Sequence, residues 1–376
     1  MKILITGNQG YIGPVVSEHL RGTIPQAELV GLDTGYFENC TTAEAGPQSA
    51  PHIQLQADLR DIQPRDLEGF DAVLHLAALS NDPMGQRFEQ VTRQVNYEAS
   101  WKLAALAKSA GVKQFVFASS CSVYGLDDGT LKTEQSALNP LTAYARSKVG
   151  TEESLYGLAG SGFTVTALRF ATACGFSSRC RLDLVLNDFV ASALSHGEIV
   201  LLSDGTPWRP LIHVRDMARA MEWGLQRQAR NGGAFVSVNA GSEAWNYQIR
   251  ELAEAVGEGL GGLPVRLNPG GGPDKRSYRV DFSRFRALAP RHQPQWTLTQ
   301  AVRELSQGLG GVIQRGMNFR DSYWIRLKVL ASLMDERRLD ASLRWRAERP
   351  SSLPHKQRPL RPESGKVPTV DSPLEG

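Results

Sequence analysis

The sequence predicts an α/β fold in which helices cover both faces of a doubly wound parallel sheet. Two observations predict this class. Short, nearly continuous apolar runs alternate with longer helical patterns through the first half of the chain, as buried parallel strands and crossover helices require. The first run, residues 2–5, leads directly into a glycine-rich turn and a helical pattern over residues 13–20.

The remaining elements follow in chain order. Further strands are predicted at residues 29–32, 53–55, 72–76, 114–118 and 164–169, with a helix at 97–110. After about residue 175 the pattern changes, and helices are predicted at 182–194, 216–225 and 247–256, with short strands at 199–201 and 236–239. This change of rhythm predicts a smaller mixed region that caps the sheet.

Composition and charge exclude several classes of protein. The chain has 42 basic and 39 acidic residues, and a net charge of +3 does not indicate a nucleic-acid or membrane surface. The longest apolar runs are shorter than the roughly 20 residues that a membrane-spanning helix needs. The strand pattern begins at the first residues, which leaves no signal peptide, and the four cysteines lack metal-ligand spacing. We therefore expect a cytoplasmic protein with reduced thiols and no bound metal.

A glycine loop joins the first predicted strand to the first helix. Gly7 suits a tight turn, Gly10 a close approach of backbone to a diphosphate, and Gly13 close packing of helix on strand. The free N–H groups at the helix start would then face the phosphates. Asp33 ends the second strand, about 20 residues beyond Gly13, where a carboxylate binds both ribose hydroxyls and repels a 2′-phosphate. The loop thus predicts a Rossmann-type site for NAD rather than NADP; a plain strand-to-helix turn is the alternative.

Other residues at the same edge extend the predicted cofactor site. Asp58 follows the third strand and is either an acceptor for the adenine amine or a helix N-cap. Small residues after the fourth strand allow the backbone to lie against a cofactor. The predicted cofactor-binding residues are Gly7, Gln9, Gly10, Tyr11, Ile12, Gly13, Asp33, Asp58, Leu59, Leu76, Ala77, Ala78, Asn96, Tyr144 and Lys148.

Tyr144 and Lys148 form the predicted catalytic pair. Their spacing of four places both on one face of a helix. A nearby ammonium stabilises a phenolate, so we expect the pKa of Tyr144 to fall from about 10 toward neutrality. A phenolate can accept the proton of a substrate hydroxyl while hydride leaves its carbon. Ser120 ends the fifth strand, where it can hold the reacting oxygen; a surface Tyr and Lys pair is the alternative.

With these features the sequence resembles the extended short-chain dehydrogenases/reductases of the NAD-dependent epimerase/dehydratase family. The matching features lie in order over residues 1 to about 315: the loop 6–13, Asp33, the segment 75–78, Asn96, the segment 119–125, Tyr144 with Lys148, Leu168-Arg169, and the segment 209–214. The resemblance implies a tightly held NAD and a nucleoside-diphosphate sugar as substrate. It also implies a homodimer and a catalytic trio of Ser120, Tyr144 and Lys148.

The positions after Ser120 bear on the reaction. The 4,6-dehydratases of the family carry an Asp-Glu pair there, and this chain has Cys121 and Ser122. A serine cannot do the acid/base work of a carboxylate at neutral pH, so 4,6-dehydration is disfavoured. Cys121 is either a thiol of lowered pKa or a small packing residue. We expect a nucleotide-sugar epimerase acting through a transient 4-keto sugar. The alternatives are an NAD-dependent dehydrogenase/reductase or dehydratase, and a non-catalytic NAD-binding regulator.

The substrate end is predicted from the same resemblance. Arg209 lies where relatives bind the diphosphate, and a guanidinium suits that role. Relatives carry a further arginine where this chain has Gly271, so Arg276 or a neighbour is expected to substitute. Asn81 either contacts the sugar or forms a turn. The predicted substrate-binding residues are Ser80, Asn81, Ser120, Cys121, Ser122, Asn187, Arg209 and Arg276.

These assignments divide the chain into four parts. Residues 1–175 are expected to form the NAD-binding Rossmann domain, with a return of the chain around 209–240. Residues 176–315 form a mixed substrate-binding region, and residues 316–348 a C-terminal amphipathic helix. Residues 349–376 are rich in proline and poor in apolar residues, which predicts a disordered tail.

Overall fold

The structure, a computed structural model, describes residues 1–44, 46–126, 129–267 and 277–346. The strands are β1 Lys2–Thr6, β2 Glu28–Asp33, β3 Ile53–Gln56, β4 Ala72–His75, β5 Gln114–Ser120, β6 Leu131–Lys132, β7 Thr164–Phe170, β8 Thr172–Cys174, β9 Ile199–Leu201, β10 Trp208–His213, β11 Phe235–Ala240, β12 Asn246–Gln248, β13 Val265–Leu267 and β14 Arg279–Val280. The helices are α1 Gly13–Thr23, α2 Asp82–Arg87, α3 Glu89–Thr92, α4 Ala99–Ser109, α5 Ala143–Leu158, α6 Val185–His196, α7 Val214–Gln226, α8 Ile249–Gly259, α9 Ser283–Leu288, α10 Leu298–Leu309 and α11 Arg326–Asp335.

Seven of the described strands form the central sheet, in the order β11-β7-β5-β4-β1-β2-β3. All of its neighbours pair in parallel. The chain starts in the middle of the sheet, moves outward to β3, and then returns to build the other half from β4. The doubly wound fold predicted from the sequence is therefore confirmed. Ligands bind such sheets in the crevice where the direction of winding reverses, which here lies between β1 and β4.

Strand β1 shows how the sheet separates two cores. Ile3 and Ile5 point into a cluster that contains Val16 of α1 and Met221 of α7. Leu4 points the other way, into a cluster with Leu103 of α4. All three β1 side chains are buried, because alternate residues of a strand face opposite sides of the sheet. The three residues in the middle of the strand are all apolar because helices cover both faces of the sheet.

The helix predicted at 97–110 is longer and less regular in the structure. A π-helical stretch, Arg93–Glu98, runs into α4. Asn96 lies in this stretch and is buried. Such π-helical insertions are rare and frequently occur at functional sites, and this one follows the loop that leaves β4.

A smaller region covers the carboxyl edge of the sheet. It contains the three-stranded sheet β12-β10-β8 and the pair β13-β9, with helices α6, α8 and α10. Strand β11 returns to the central sheet beside β7, within the window where the sequence predicted a return. No helix in the described part of the chain is both long enough and apolar enough to span a membrane.

The C-terminal segment, residues 316–346, differs from the prediction of one helix over 316–348. Its helix α11 has only ten residues, Arg326–Asp335. Arg337 has φ 56° and Leu343 has φ 53°, and such left-handed residues cannot continue a helix. The chain then forms a C-terminal hairpin, residues 338–346, closed by an antiparallel bridge between Leu339 and Trp345. The tail predicted at 349–376 lies outside the described residues.

The apolar side of the C-terminal segment packs against the body of the protein. Leu330 and Leu343 are buried in one cluster with Met84 and Phe88 of the α2 region. This burial explains why the sequence shows an amphipathic pattern there, although the pattern continues beyond the end of α11. The segment is consequently part of the folded body over its described length.

Candidate active site

A large cavity of about 880 Å³ lies at the carboxyl edge of the central sheet. Its wall is built from the loops that follow β1 to β5, from the start of α5, and from parts of the smaller region and the C-terminal segment. Five of these loops leave the sheet next to one another, so residues far apart in the chain meet in this crevice.

The glycine loop forms one wall of the cavity with its backbone. Gly7 has φ +72°, and a Cβ added there would lie 2.6 Å from the backbone nitrogen of Ala77. A Cβ on Gly13 would lie 2.0 Å from the carbonyl oxygen of Asn8. Only glycine fits at these two positions, because any side chain would collide with backbone. Gly10 lines the cavity between them, as expected for backbone that approaches a diphosphate.

Asp33 stands at the end of β2 and lines the cavity. Its Oδ2 accepts a hydrogen bond from the backbone N–H of Gln9 (3.0 Å), and its Oδ1 accepts one from Gly35 (2.8 Å). Burial raises the pKa of Asp33, and these backbone hydrogen bonds lower it only in part. A carboxylate has about four acceptor positions, so two bonds fix its orientation and leave capacity for ribose hydroxyls.

Asp58 takes one of the two roles that the sequence left open. It caps a short 3₁₀ helix by accepting from the N–H of Arg60 (2.9 Å). It also forms an ion pair with the Arg60 guanidinium at 2.5 Å. The N-cap alternative is thus observed, while Asp58 and Leu59 still line the cavity.

The predicted catalytic residues meet at the opposite side of the same cavity. Helix α5 starts at a Thr142 N-cap, whose Oγ1 accepts from the N–H of Ala145 (3.1 Å). The Tyr144 and Ser120 hydroxyls lie close enough to interact, and this interaction acts to lower the pKa of Tyr144. The Lys148 Nζ donates to the carbonyl oxygen of Ala118 (2.7 Å) and lies 5.5 Å from the centre of the Tyr144 ring. The structure therefore brings Ser120, Tyr144 and Lys148 together.

The pKa values of this pair run against the expectation from the sequence. Burial, aided by the charge of Asp82, raises the pKa of Tyr144 to about 12, although the interaction with Ser120 opposes this. Burial lowers the pKa of Lys148 to about 7, although Glu152 opposes this. The predicted fall in the phenol pKa is wrong for this structure, because both groups lose hydration and neither charge offsets that loss.

A buried ion pair supports the floor below these residues. Glu152, one helical turn after Lys148, accepts from the Arg169 guanidinium at 2.7 Å. It also accepts from the hydroxyls of Ser119 and Ser237. Both charges in this network are paired. The network joins the ends of β5 and β7 to α5 and so fixes their relative positions.

A second network, formed by residues 80–81 and 181–183, lines another part of the cavity wall. The Arg181 guanidinium binds both oxygens of Asp183 (2.9 and 2.8 Å) and donates to the Ser80 hydroxyl (2.9 Å). Asn81 donates to Asp183 (2.7 Å) and also caps α2 by accepting from Met84 (2.9 Å). The turn role weighed for Asn81 is therefore observed, and its amide is fixed at the cavity wall.

Ser122 and Arg209 complete the predicted substrate wall that lies in the cavity. The Ser122 hydroxyl is buried and has no hydrogen-bond partner among the described residues. The Arg209 guanidinium lies 5.7 Å from the centre of the Tyr278 ring. A hydroxyl and a cation are thus presented to the same space.

Two predicted substrate residues are not brought to the cavity. The Cys121 thiol donates to the carbonyl oxygen of Arg169 at 3.1 Å, and burial raises its pKa far above the ordinary value. Asn187 is fully buried, accepts from the N–H of Gly175 (3.1 Å) and donates to the carbonyl of Arg181 (2.9 Å). Cys121 has the environment of a packing residue rather than of an acid or base. Arg276 lies outside the described residues.

Three predicted cofactor residues lie behind the cavity wall and support it. Asn96 accepts from the N–H of Leu79 (2.8 Å) and donates to its carbonyl (3.0 Å), which fixes the loop after β4. Gln9 orients Asp33 through its backbone, and Gly13 permits the close approach of α1. Asn96 is thus a structural residue behind the cavity wall.

Several residues of the cavity wall were not predicted from the sequence. They are Tyr36, Phe37, Asp82, Arg181, Asp183, Arg320 and Arg326. Arg181 and Asp183 follow the end of β8, and a polar loop at the carboxyl end of a strand was the available signal. The two arginines of the C-terminal segment carried no such signal.

Comparison with known proteins independently supports the family resemblance that the sequence motifs indicated. A family model described as "NAD dependent epimerase/dehydratase family" matches residues 3–241. The UDP-glucose 4-epimerase of Corynebacterium glutamicum is 25% identical over 287 residues, covering 72% of this chain and 84% of that protein. The dTDP-glucose 4,6-dehydratase of Streptomyces griseus is 26% identical over 292 residues, covering 75% and 86%. A solved UDP-glucose 4-epimerase from Stenotrophomonas maltophila, with bound NAD and formylated UDP-arabinopyranose, is 25% identical with a TM-score of 0.68, covering 83% and 98%.

Proposed function

This chain belongs to the NAD-dependent epimerase/dehydratase family, and from that premise we propose that it is a nucleotide-sugar epimerase acting through a transient 4-keto sugar. The meeting of Ser120, Tyr144 and Lys148 in one cavity, opposite the glycine loop and Asp33, carries this proposal. The protein is an enzyme of that family, and NAD is the family's cofactor.

The cavity fits this cofactor. The backbone at Gly10, Tyr11 and Ile12 would hold the diphosphate at the start of α1, and Asp33 would hold the ribose hydroxyls. Ala77 and Ala78 present backbone and small side chains to the cofactor. When bound, NAD supplies the acceptor that takes a hydride from the sugar carbon and later returns it.

Tyr144 would carry the proton that accompanies the hydride. In the reducing half of the cycle its phenol donates a proton to the oxygen of the keto sugar, and burial favours this protonated form. In the oxidising half its phenolate accepts the proton of the sugar hydroxyl. Ser120 is placed to orient that oxygen, because its hydroxyl already lies close to that of Tyr144. Since oxidation needs the phenolate, we expect turnover to rise from neutral to alkaline pH.

The substrate is proposed to be a nucleoside-diphosphate sugar. The Arg209 guanidinium would bind the diphosphate. The unsatisfied hydroxyl of Ser122, together with Ser80 and Asn81, would bind sugar hydroxyls. This arrangement supports a substrate with one strongly anionic end and one neutral polar end.

A dehydratase is the second candidate, because Asp82 offers a carboxylate. It lines the cavity and is close enough to raise the pKa of Tyr144. It accepts a hydrogen bond from the Thr142 hydroxyl at 2.6 Å. A carboxylate in this position has the chemistry to remove a proton next to a keto group. The thiol of Cys121 gives no comparable support.

We further propose a cytoplasmic homodimer. Trp101 on α4 is 50% exposed, and Tyr156 on α5 is 70% exposed. Large exposed aromatic residues on neighbouring helices are typical of protein interfaces. The four cysteines are buried free thiols, in keeping with a reducing compartment. Sedimentation of Trp101→Ala and Tyr156→Ala variants beside the natural chain tests the dimer.

A product screen tests the reaction. The purified protein, with NAD supplied, is incubated with UDP-, dTDP-, GDP- and CDP-sugars, and products are followed by mass spectrometry and NMR. A changed sugar configuration at constant mass supports the epimerase. Loss of one water indicates the dehydratase, and loss of two hydrogens with release of NADH indicates a dehydrogenase. Tyr144→Phe should bind NAD as the natural chain does while turnover falls by about 10²–10⁴-fold. Full activity in that variant would refute the mechanism.

A further inference from the structure

Arg326, the first residue of α11, is a buried cation with an unused donor. Its side chain is only 1% exposed. One terminal nitrogen, Nη2, donates to the carbonyl oxygen of Arg179 at 2.8 Å. The other, Nη1, is buried and has no hydrogen-bond partner within the described part of the chain. Buried polar atoms are nearly always satisfied, and an unsatisfied one in a cavity wall indicates a missing partner.

The protein provides little negative charge to balance Arg326. The thiols of Cys40 and Cys180 lie near it, but burial raises their pKa values, so both are uncharged. Asp183 is also near, but both of its oxygens already bind Arg181. Burial accordingly lowers the pKa of Arg326. A guanidinium has five donors in a planar fork that matches phosphate oxygens.

Its position points to the middle of the cofactor site. On one side the Arg326 guanidinium lies 5.1 Å from the centre of the Phe37 ring, in the loop that follows Asp33. On the other side the charge of Arg181 lowers the pKa of Arg326, and the same Arg181 charge lowers the pKa of Tyr144. Asp33 marks the ribose end and Tyr144 the nicotinamide end of the site. The diphosphate of a dinucleotide lies between these ends.

We propose that Arg326 binds the diphosphate of the dinucleotide, so that the C-terminal segment forms part of the cofactor site. This inference rests on the NAD site proposed above. It assigns a binding residue that lies beyond residue 241, where the match to the family model ends.

The C-terminal hairpin, in the same segment as Arg326, is bonded to the loops at the adenosine end of the site. Trp345 Nε1 donates to the carbonyl oxygen of Thr34 (2.8 Å), and the Tyr36 hydroxyl donates to the carbonyl of Leu343. The Arg344 guanidinium binds Asp61 at 2.7 Å. These contacts tie the C-terminal hairpin to the loops after β2 and β3. Asp33 and Asp58 lie where these loops begin and line the cavity, so the hairpin supports the adenosine end from behind these loops.

The test compares Arg326→Met with Lys328→Met. Lys328 lies on the same helix but is 48% exposed and pairs with Asp321, so its loss removes the same charge without touching the cavity. Each full-length variant is stripped of cofactor and titrated with NAD, ADP-ribose and UDP by calorimetry. We expect Arg326→Met to bind NAD and ADP-ribose about ten- to hundredfold more weakly and UDP unchanged. Lys328→Met should match the natural chain with all three.

Two results would overturn the inference while leaving the proposed function intact. One is NAD affinity in Arg326→Met equal to that of the natural chain. The other is weakened UDP binding with unchanged NAD binding, which would show that Arg326 binds the phosphates of the substrate nucleotide instead of those of NAD. If the natural chain binds no NAD at all, the proposed function fails together with the inference.

A second variant and a second readout guard against a purely structural effect. Arg326→Lys keeps the charge, so its NAD affinity should lie between those of the natural chain and Arg326→Met. The rise in melting temperature on adding NAD should shrink in Arg326→Met. If Arg326 only stabilised the fold, its replacement would lower the melting temperature of the cofactor-free protein and leave the NAD-induced rise unchanged. That outcome would contradict the proposal.

Discussion

Two buried arginines on different sides of the cavity show contrasting uses of the same side chain. Arg169, in the floor, has its guanidinium bound to both oxygens of Glu152 and also donates to the Tyr124 hydroxyl. Arg326, in the C-terminal wall, is bound to carbonyl oxygens and keeps one nitrogen unsatisfied. In the floor, the Glu152 carboxylate balances the charge of Arg169, whereas in the C-terminal wall the hydrogen bonds of Arg326 go to neutral carbonyl oxygens.

The pKa values express the same difference. Burial acts to lower the pKa of Arg169, but Glu152 more than offsets this and the net shift is upward. Burial also lowers the pKa of Arg326, and there the net shift stays downward. A buried charge with a partner of its own belongs to the scaffold. Among the described residues Arg326 has no such partner, and it lies in the cavity wall, where a ligand can supply one.

The largest expected effect comes from breaking the pair in the floor. Glu152→Gln leaves the Arg169 charge buried without its counter-ion, and we expect a loss of about 3–5 kcal/mol in the free energy of unfolding. Urea denaturation followed by circular dichroism measures this. Glu153→Gln, on the exposed side of the same helix, should change stability by no more than about 0.5 kcal/mol. A loss below about 1 kcal/mol in Glu152→Gln would show that the floor does not depend on the pair.

The next effect concerns Lys148 and depends on pH. Its pKa is about 7 in the folded chain and 10.5 in the unfolded chain. Between these values the unfolded chain binds more protons, so stability rises with pH, by at most about 1.4 kcal/mol per pH unit. The raised pKa of Tyr144 makes the free energy of unfolding fall with rising pH, but only above about pH 10.

Lys148→Met should remove this slope. The measurement is the free energy of unfolding at several values between pH 7 and pH 10 for the natural chain and the variant. Parallel curves would mean that Lys148 keeps an ordinary pKa in the folded chain.

A smaller effect is expected for the cofactor-free stability of Arg326→Met. Replacing an uncompensated buried cation by an apolar side chain of similar length is often neutral or stabilising. We therefore expect a change of less than about 1 kcal/mol, in contrast to Glu152→Gln. Thermal and urea unfolding of the stripped protein measure it, with Lys328→Met as the control. A loss as large as that of Glu152→Gln would place Arg326 with the scaffold charges.

The smallest effect is expected for Cys121→Ala. The thiol is buried, neutral and turned away from the cavity, so turnover should stay within about twofold of the natural chain, since the packing change is small. Initial rates with the substrate found in the product screen measure this. If turnover is lost while the circular dichroism spectrum is unchanged, the thiol takes part in the reaction, and the dehydratase becomes the better explanation.

Local motifs explain what the sequence could predict. The glycine loop, Asp33 and the spacing of Tyr144 and Lys148 each depend on residues within one or two adjacent elements. Burial cannot be read from such motifs, and the pKa of Tyr144 was therefore expected to move in the wrong direction. The amphipathic pattern after residue 316 could not reveal the left-handed residue at Arg337 that ends the helix early.

Long-range contacts account for the rest. The bond from Arg326 to Arg179 joins residues 147 positions apart, and no periodicity links them. Arg181 and Asp183 likewise reach Ser80 and Asn81 across about a hundred positions. Charges that act at a distance along the chain are found only once the strands have been placed side by side.

The C-terminal hairpin has a consequence for how the protein is made in the cell. A ribosome adds about 5–20 residues per second, and the hairpin is among the last described residues to emerge. The central sheet and its glycine loop can therefore assemble before the loops after β2 and β3 gain their bonds to the hairpin. We expect those loops to reach their final positions only when synthesis reaches the hairpin, so that the adenosine end of the cofactor site is completed late in synthesis.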